Sequence, residues 1–295
     1  MSTSSPPPNP PDRPATARGP ASAHIERLSL ISLVAALCPL VPVPWLDDFA
    51  ERVVRRRAVA DLLRERGVDP TPGDVEVLAG LERSRRGCVD WLLWPLTGVL
   101  FYVAKKLFRK VLFLLAAGDA VRTGSEVFHD TYLLSHALAG GWLPPGPDGR
   151  LDRDEARWVR WAMAATTAET DPAPVRGAMR RAFVGSGRLL TGEAMRLGAW
   201  LVGERRRAAS GAARAAEVEE RAAEDLPVAG EATRLAGLSG RLATAIGLEQ
   251  AYRRTLEARL DTHLATAAEA RRLAAADRPE KGSTADDAGE LPPLR

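Results

Sequence analysis

Residues 28–46 form a stretch of nineteen residues without a charged side chain. Prolines at positions 39, 42 and 44 interrupt its second half, so only about ten residues can be helical before the backbone becomes extended. A helical membrane span needs about 20 apolar residues. The stretch therefore predicts a short apolar helix followed by an extended segment. Three roles stay open for it: a membrane span, a signal segment or part of a core.

Composition predicts an all-α fold for the rest of the chain. The 295 residues are 45% hydrophobic, which excludes wholesale disorder. Ala, Leu, Arg and Glu, which favour helices, dominate the periodic stretches, and alternating β-branched residues are nearly absent. We expect a multi-helix bundle or two helical subdomains with disordered termini.

Changes in composition divide the chain into five parts. Seven prolines within residues 1–23 predict a disordered, Pro-rich tail, and residues 277–295 predict a second one. Residues 24–141 form an apolar and basic helical region that includes a candidate membrane-contact subdomain. A linker loop at 142–152 precedes an Ala/Arg-rich helical subdomain at 153–276.

Capping residues and glycines predict several helix boundaries. Asp47 is the expected N-cap of a helix that ends near Arg66. Thr71 followed by proline begins a short helix to about Leu81, and Asp152 with Glu155 begins another. In the second half, breaks near 185–187 and 227–230 predict two or three helices.

The most informative segment, residues 89–117, has the pattern of a helix lying on a membrane surface. At about 100° per residue, its basic residues fall on one arc, opposite a face of Leu, Val and Phe. Two tryptophans stand at one end, where headgroup contacts are made. The predicted membrane-contact residues are Trp91, Trp94, Lys105, Lys106, Phe108, Arg109 and Lys110. A core helix whose charged arc faces solvent would give the same pattern, so this alternative stays open.

The segment that follows contains a weak candidate metal site. Glu126 and His129 form one Glu-x-x-His pair, and His136 lies seven residues further on, so the three share a face of a continuous helix. A di-metal site needs a second such pair, and the chain has none. Local hydrogen bonding is the alternative, and we expect no cofactor.

The net charge limits the classes of partner that the sequence predicts, and the cysteine content indicates the cellular compartment. The net charge of +3 is small, and carboxylates are interspersed among the basic residues, which disfavours nucleic acid. The partners that remain are an anionic membrane surface and a protein, either a different one or a second copy. The two cysteines cannot form a disulfide scaffold and are typical of reduced thiols in a cytoplasmic protein.

Three functions are consistent with these observations. The first is a non-enzymatic helical protein that associates peripherally with a membrane through residues 28–46 and 89–117, at its cytoplasmic face, and acts as a scaffold or partner-binding surface. The second is a soluble helical interaction protein without membrane contact. The third is a metal-dependent helical enzyme that uses Glu126 and His129, with His136 or Asp130 as a further ligand. No motif identifies a substrate, so we expect a protein without catalytic activity.

Overall fold

The computed structural model describes residues 22–41, 46–82, 109–146, 149–209, 215–226 and 228–276. These residues form ten α-helices and one short 3-10 turn, with no strand among them, so the all-α prediction is confirmed. The helices are α1 (Ser22–Leu37), α2 (Leu46–Glu65), α3 (Pro72–Leu78), α4 (Arg109–Ala139), α5 (Arg153–Glu169), α6 (Ala173–Phe183), α7 (Gly187–Ala209), α8 (Ala215–Asp225), α9 (Val228–Leu248) and α10 (Gln250–Ala276), and the 3-10 turn is Cys38–Leu40.

Helix α1 lies at the centre of the fold. It packs most extensively against α4 and α9, and also contacts α2 and α7. Nearly every side chain from Leu28 to Cys38 is buried, including the Cys38 thiol, which donates to the Val34 carbonyl oxygen. Residues 28–41 of the uncharged stretch therefore belong to the hydrophobic core, and 42–45 lie outside the described residues.

A glycine lets α1 and α4 approach closely. A Cβ atom on Gly124 would lie 2.9 Å from both the Cβ of Ala36 and the carbonyl oxygen of Ser32, and 3.0 Å from the sulfur of Met179. Real Cβ contacts are longer than this, so any side chain at position 124 would force the two helices apart.

The local capping signals predicted helix starts more accurately than helix ends. Thr71 caps α3 in a reciprocal capping box with Asp74, and the Asp152 carboxylate accepts from the amides of Asp154 and Glu155 at the start of α5. The prediction for α2 was wrong by a small margin, because the helix begins at Leu46 and Asp47 lies in its first turn. Helix α3 ends at Leu78, three residues earlier than expected.

The second half of the chain contains more helices than the two or three predicted. Five helices, α6 to α10, lie within its described residues. The expected break near 185–187 is present, and Gly185 adopts a left-handed backbone conformation there, with φ of +77°. A further break, between Leu248 and Gln250, has no proline or positive-φ glycine to announce it.

The loop predicted at 142–152 connects α4 to α5. One hydrophobic cluster includes residues from both sides of it, such as Leu133 in α4 and Leu238 in α9. The described helices thus share a core. The predicted tails, 1–23 and 277–295, lie outside the described residues, except that 22 and 23 begin α1. Among the helices that the structure describes, none has the length and apolarity that crossing a bilayer requires.

Candidate functional site

The predicted membrane-contact residues lie almost entirely beyond what the structure describes. Trp91, Trp94, Lys105, Lys106 and Phe108 fall in the segment 83–108, which lies outside the described residues. Arg109 and Lys110 are the first two residues of α4, where the backbone is described and the side chains are not. Their membrane contact stays a prediction.

The structure does show where α4 joins the helical core. Gly118 and Asp119 are exposed, whereas Ala120 is fully buried. A Cβ atom built on Gly118 would meet nothing within 4 Å. Within the part of α4 whose side chains the structure describes, which starts at residue 117, burial therefore begins at residue 120.

Three helices meet at a group of charged side chains that we call the charged cluster: Arg55 of α2, Asp130 of α4 and Arg160 of α5, with Glu51 and Glu126 at its edge. The Asp130 carboxylate accepts from Arg55 at 2.5 Å and from Arg160 at 2.9 Å, and its side chain is only 19% exposed. Arg55 also reaches Glu51 at 2.9 Å and Glu126 at 3.7 Å. Each charge in the cluster thus has an opposite charge beside it.

The arginines determine the ionisation of Asp130. Burial acts to raise the pKa of Asp130, but the charges and hydrogen bonds of Arg160 and Arg55 outweigh it and hold the pKa below its usual value. Burial raises the pKa of Glu126, although Arg122 and Arg55 oppose the rise. Asp130 is therefore a carboxylate at neutral pH, and its two oxygens are both occupied by guanidinium groups.

A different chemistry joins α4 to α10. We call three side-chain pairs the α4–α10 polar contacts: His129 with Tyr252, Tyr132 with Glu257, and His136 with Asp261. The His129 Nε2 atom lies 2.6 Å from the Tyr252 hydroxyl, and the His136 Nε2 atom lies 3.2 Å from an Asp261 oxygen. The Tyr132 hydroxyl donates to the Glu257 carboxylate. Successive turns of α4 thus each use one polar side chain to hold α10.

The surroundings of His129 indicate its neutral form. Burial lowers the pKa of His129. A hydrogen bond to the backbone of Ser125 acts to raise this pKa but only partly offsets the effect of burial. If Nδ1 donates to that backbone carbonyl, Nε2 is left to accept from the Tyr252 hydroxyl. Burial also raises the pKa of Tyr252 to about 12, so this phenol keeps its proton. The pair therefore fits a neutral imidazole that accepts from a neutral phenol.

The three weak metal-ligand candidates have separate partners. Glu126 faces Arg55 and Arg122, His129 faces Tyr252, and His136 faces Asp261. Over the described part of the chain, no three His, Cys, Asp or Glu side chains come together in a way that could hold a metal ion. These contacts fit the hydrogen-bonding alternative for Glu126, His129 and His136. Asp130, the further candidate, is occupied by Arg55 and Arg160.

Sequence reasoning did not find the partners of these α4 residues. Tyr252, Glu257 and Asp261 lie 123 to 125 residues away from the α4 side chains that they contact. Arg55 and Arg160 look like ordinary solvent-facing residues of Arg-rich helices. The only local signal for Arg55 and Arg160 was that each arginine lies near an apolar helix face, and many other arginines in this chain share that feature.

Comparison with known proteins identifies no relative, so a function has to be inferred from the sequence and the geometry. The chain matches no protein-family model, no curated protein and no solved structure.

Proposed function

We propose that this protein is a non-enzymatic helical scaffold that associates with the anionic, inner face of a membrane through residues 89–117. The described helices would form the body that carries a partner-binding surface. The observation that carries the proposal is that Gly118 and Asp119, among the first α4 residues whose side chains are described, are exposed, and that the basic residues of 105–110 precede them. Because residues 28–41 are buried, the contact is assigned to 89–117 alone.

The position of the basic residues along α4 supports this assignment. The helix begins at Arg109, and among its side chains that the structure describes, from residue 117 onward, Ala120 is the first that is fully buried. At about 1.5 Å per residue, its start lies about 16 Å along the axis from Ala120. Three of the four lysines in the chain, at positions 105, 106 and 110, lie at or just before this start. Basic residues next to an apolar helical face would meet anionic headgroups while the body stays in water.

The state of the core also supports it. The charged cluster and the α4–α10 polar contacts occupy the titratable groups of α4 that could otherwise perform chemistry. Asp130 has both oxygens bound by arginines, and His129 is buried against a tyrosine. Buried groups that are held in pairs like these are typical of structural side chains.

The test is sedimentation of the full chain with vesicles of phosphatidylglycerol and phosphatidylcholine. The variant Lys105→Glu, Lys106→Glu, Arg109→Glu, Lys110→Glu should lose binding, because each reversal replaces attraction to anionic lipid by repulsion. High salt should release the wild-type protein, since exposed charge contacts are screened over about 10 Å at 0.1 M salt.

A matched control distinguishes an effect of charge reversal at residues 105–110 from an effect of the change in net charge alone. Four exposed arginines of the described helices, Arg180, Arg188, Arg254 and Arg272, can be changed to glutamate with the same change in net charge. The control variant should keep most of its vesicle binding. Equal loss in both variants, or unchanged binding after reversal at 105–110, would contradict the proposal.

A second candidate is an interaction protein without membrane contact. Val184 and Leu248, at the ends of the neighbouring helices α6 and α9, are 77% and 80% exposed. Exposed large apolar side chains are common at protein interfaces, although single ones are also found on ordinary surfaces. Changing both to serine should shift a self-associated species towards monomer in light scattering. An unchanged mass would remove this support.

A further inference from the structure

The break between α9 and α10 is a single residue. Helix α9 ends at Leu248, α10 begins at Gln250, and Glu249 lies between them. Residues 248–251 are all good helix formers, and the nearest glycine, Gly247, lies inside α9 and has no positive φ. The sequence at the break would therefore also suit one uninterrupted helix, so the bend is imposed by the tertiary structure.

The bend interrupts the backbone hydrogen bonds of the helix. The Glu249 amide donates to the Ile246 carbonyl oxygen, three residues back, and the Arg253 amide donates to the Glu249 carbonyl oxygen. The amides of residues 250–252 thus lie in the first turn of α10, where an α-helix offers them no acceptor. The Gly247 carbonyl oxygen accepts instead from the Arg253 side chain, at 3.3 Å. A continuous helix would give those three amides acceptors in α9.

Docking on α4 and α5 holds α10 in its bent position. Helix α10 packs chiefly against these two helices rather than against α9, which precedes it directly. The interface buries Leu256, Leu260 and Leu264, includes the α4–α10 polar contacts, and contains an ion pair between Arg271 and Glu155 of α5 at 3.4 Å. None of these contacts requires α10 and the surface of α4 and α5 to belong to the same chain.

We propose that this protein forms a dimer by exchanging α10 between two copies of the chain. Helices α9 and α10 straighten into one helix, and each α10 docks on α4 and α5 of the second copy. The exchanged dimer keeps the docking contacts and gains the backbone hydrogen bonds that the bend removes. A straight helix over residues 228–276 is about 73 Å long, which carries α10 clear of its own α4 and α5. The exchange depends neither on the proposed membrane contact nor on a surface contact through Val184.

The first test lengthens the hinge. The full chain is incubated over a range of concentrations until the ratio of monomer to dimer is constant, and size exclusion with light scattering gives the dimer dissociation constant. Inserting Gly-Ser-Gly-Ser between Leu248 and Glu249 should raise this constant by about tenfold or more, because a flexible loop cannot continue the helix from α9 into α10. A wild type that stays monomeric at every concentration would overturn the proposal.

The matched control is the same insertion between Pro144 and Pro145. Both prolines are exposed in the loop between α4 and α5, where no helix continues through the insertion point. This variant should keep the dimer dissociation constant within about twofold of the wild type. Equal weakening by the two insertions, or an unchanged constant after the insertion at 248–249, would contradict the exchange.

The second test distinguishes exchange from an ordinary surface dimer. Glu155→Arg and Arg271→Glu each place like charges across the contact of α5 with α10. In an exchanged heterodimer of the two variants every α10 meets an opposite charge, whereas the monomers and homodimers keep the repulsion. An equimolar mixture should therefore contain heterodimer at about fivefold or more above the statistical proportion, as counted by native mass spectrometry.

The control mixture combines Glu269→Arg with Arg272→Glu, a pair that lies within α10 and is unaffected by exchange. It should give the statistical proportion. Statistical mixing of the Glu155→Arg and Arg271→Glu variants would mean that the dimer forms without exchange, and would overturn the proposal. If either of these two variants fails to fold by circular dichroism, the comparison of the two insertions decides.

Discussion

The two polar groups on α4 hold their neighbours by different means. In the charged cluster, Asp130 lies between two arginines of α2 and α5, and its charge is retained because their attraction outweighs burial. In the α4–α10 polar contacts, His129 is kept neutral by burial and lies against a neutral tyrosine. The first group should be sensitive to loss of a charge, and the second to protonation.

The comparison teaches why one helix needs two chemistries. Ion pairs in the interior stabilise little in total, but losing one partner leaves an uncompensated charge. A hydrogen bond between neutral groups contributes modestly to the free energy of unfolding, and losing it lowers that free energy only modestly. We therefore expect the position of α4 against α2 and α5 to be strictly determined, and the docking of α10 to vary with pH.

The largest expected effect is that of Asp130→Ala. It removes the carboxylate that pairs with Arg160 and the closest carboxylate to Arg55, so the free energy of unfolding should fall by about 3 kcal/mol. Asp119→Ala, in the same helix, removes an ion pair whose two side chains are each 58% exposed. This variant should change the free energy of unfolding by less than about 0.5 kcal/mol. Urea unfolding measures both. Similar effects for the two variants would contradict the comparison.

Tyr132→Phe should have an intermediate effect. The side chain is fully buried and its hydroxyl donates to Glu257, so losing that hydrogen bond should lower the free energy of unfolding by about 1.5 kcal/mol. A double-mutant cycle with Glu257→Gln should give a coupling energy of about 1 kcal/mol. Additive effects would mean that the two groups do not interact in solution.

Acidification should weaken the fold through His129. Because burial lowers the pKa of His129 in the folded state below 6.5, the unfolded chain takes up the proton first as the pH falls. The contribution of His129 to stability is complete above about pH 7.5 and should decrease by about 1 kcal/mol between about pH 7.5 and about pH 5.5. His24, which burial and Arg27 also shift to a lower pKa, changes stability in the same direction.

The control for this pH effect is His129→Gln, which keeps a polar side chain but cannot be protonated. Its stability should fall less steeply over the same interval, while Asp130, whose pKa is lowered, stays ionised throughout. Thermal melts at several pH values make the measurement. Parallel pH profiles for the variant and the wild type would show that His129 is not responsible.

The smallest expected effect lies on the exposed side of α10. Arg272 and Glu269 form an ion pair three residues apart, at 3.2 Å, with side chains that are 69% and 58% exposed. Arg272→Ala should change the free energy of unfolding by less than about 0.5 kcal/mol, because water and salt screen such pairs. A larger loss would mean that α10 is held by its outer face as well as by α4.

The amino-acid sequence by itself determined the local structure. Its helix-forming residues specify an all-α fold, and Thr71 and Asp152 mark helix starts, because a cap depends only on atoms within one turn. It also provided the histidines and carboxylates of α4 as candidates, since their spacing can be seen along one helix. Which of them shared a site could not be predicted from spacing alone.

The tertiary structure decided the burial of the apolar stretch and the partners of α4. A sequence of apolar residues is equally suited to lipid and to a protein core, and only the packing of α4 and α9 around α1 assigns residues 28–41 to the core. In the same way, Asp130 and His129 are adjacent in sequence but lie about 100° apart around α4, so different helices receive them. Contacts between residues more than a hundred positions apart depend on the whole fold, and no local pattern records them.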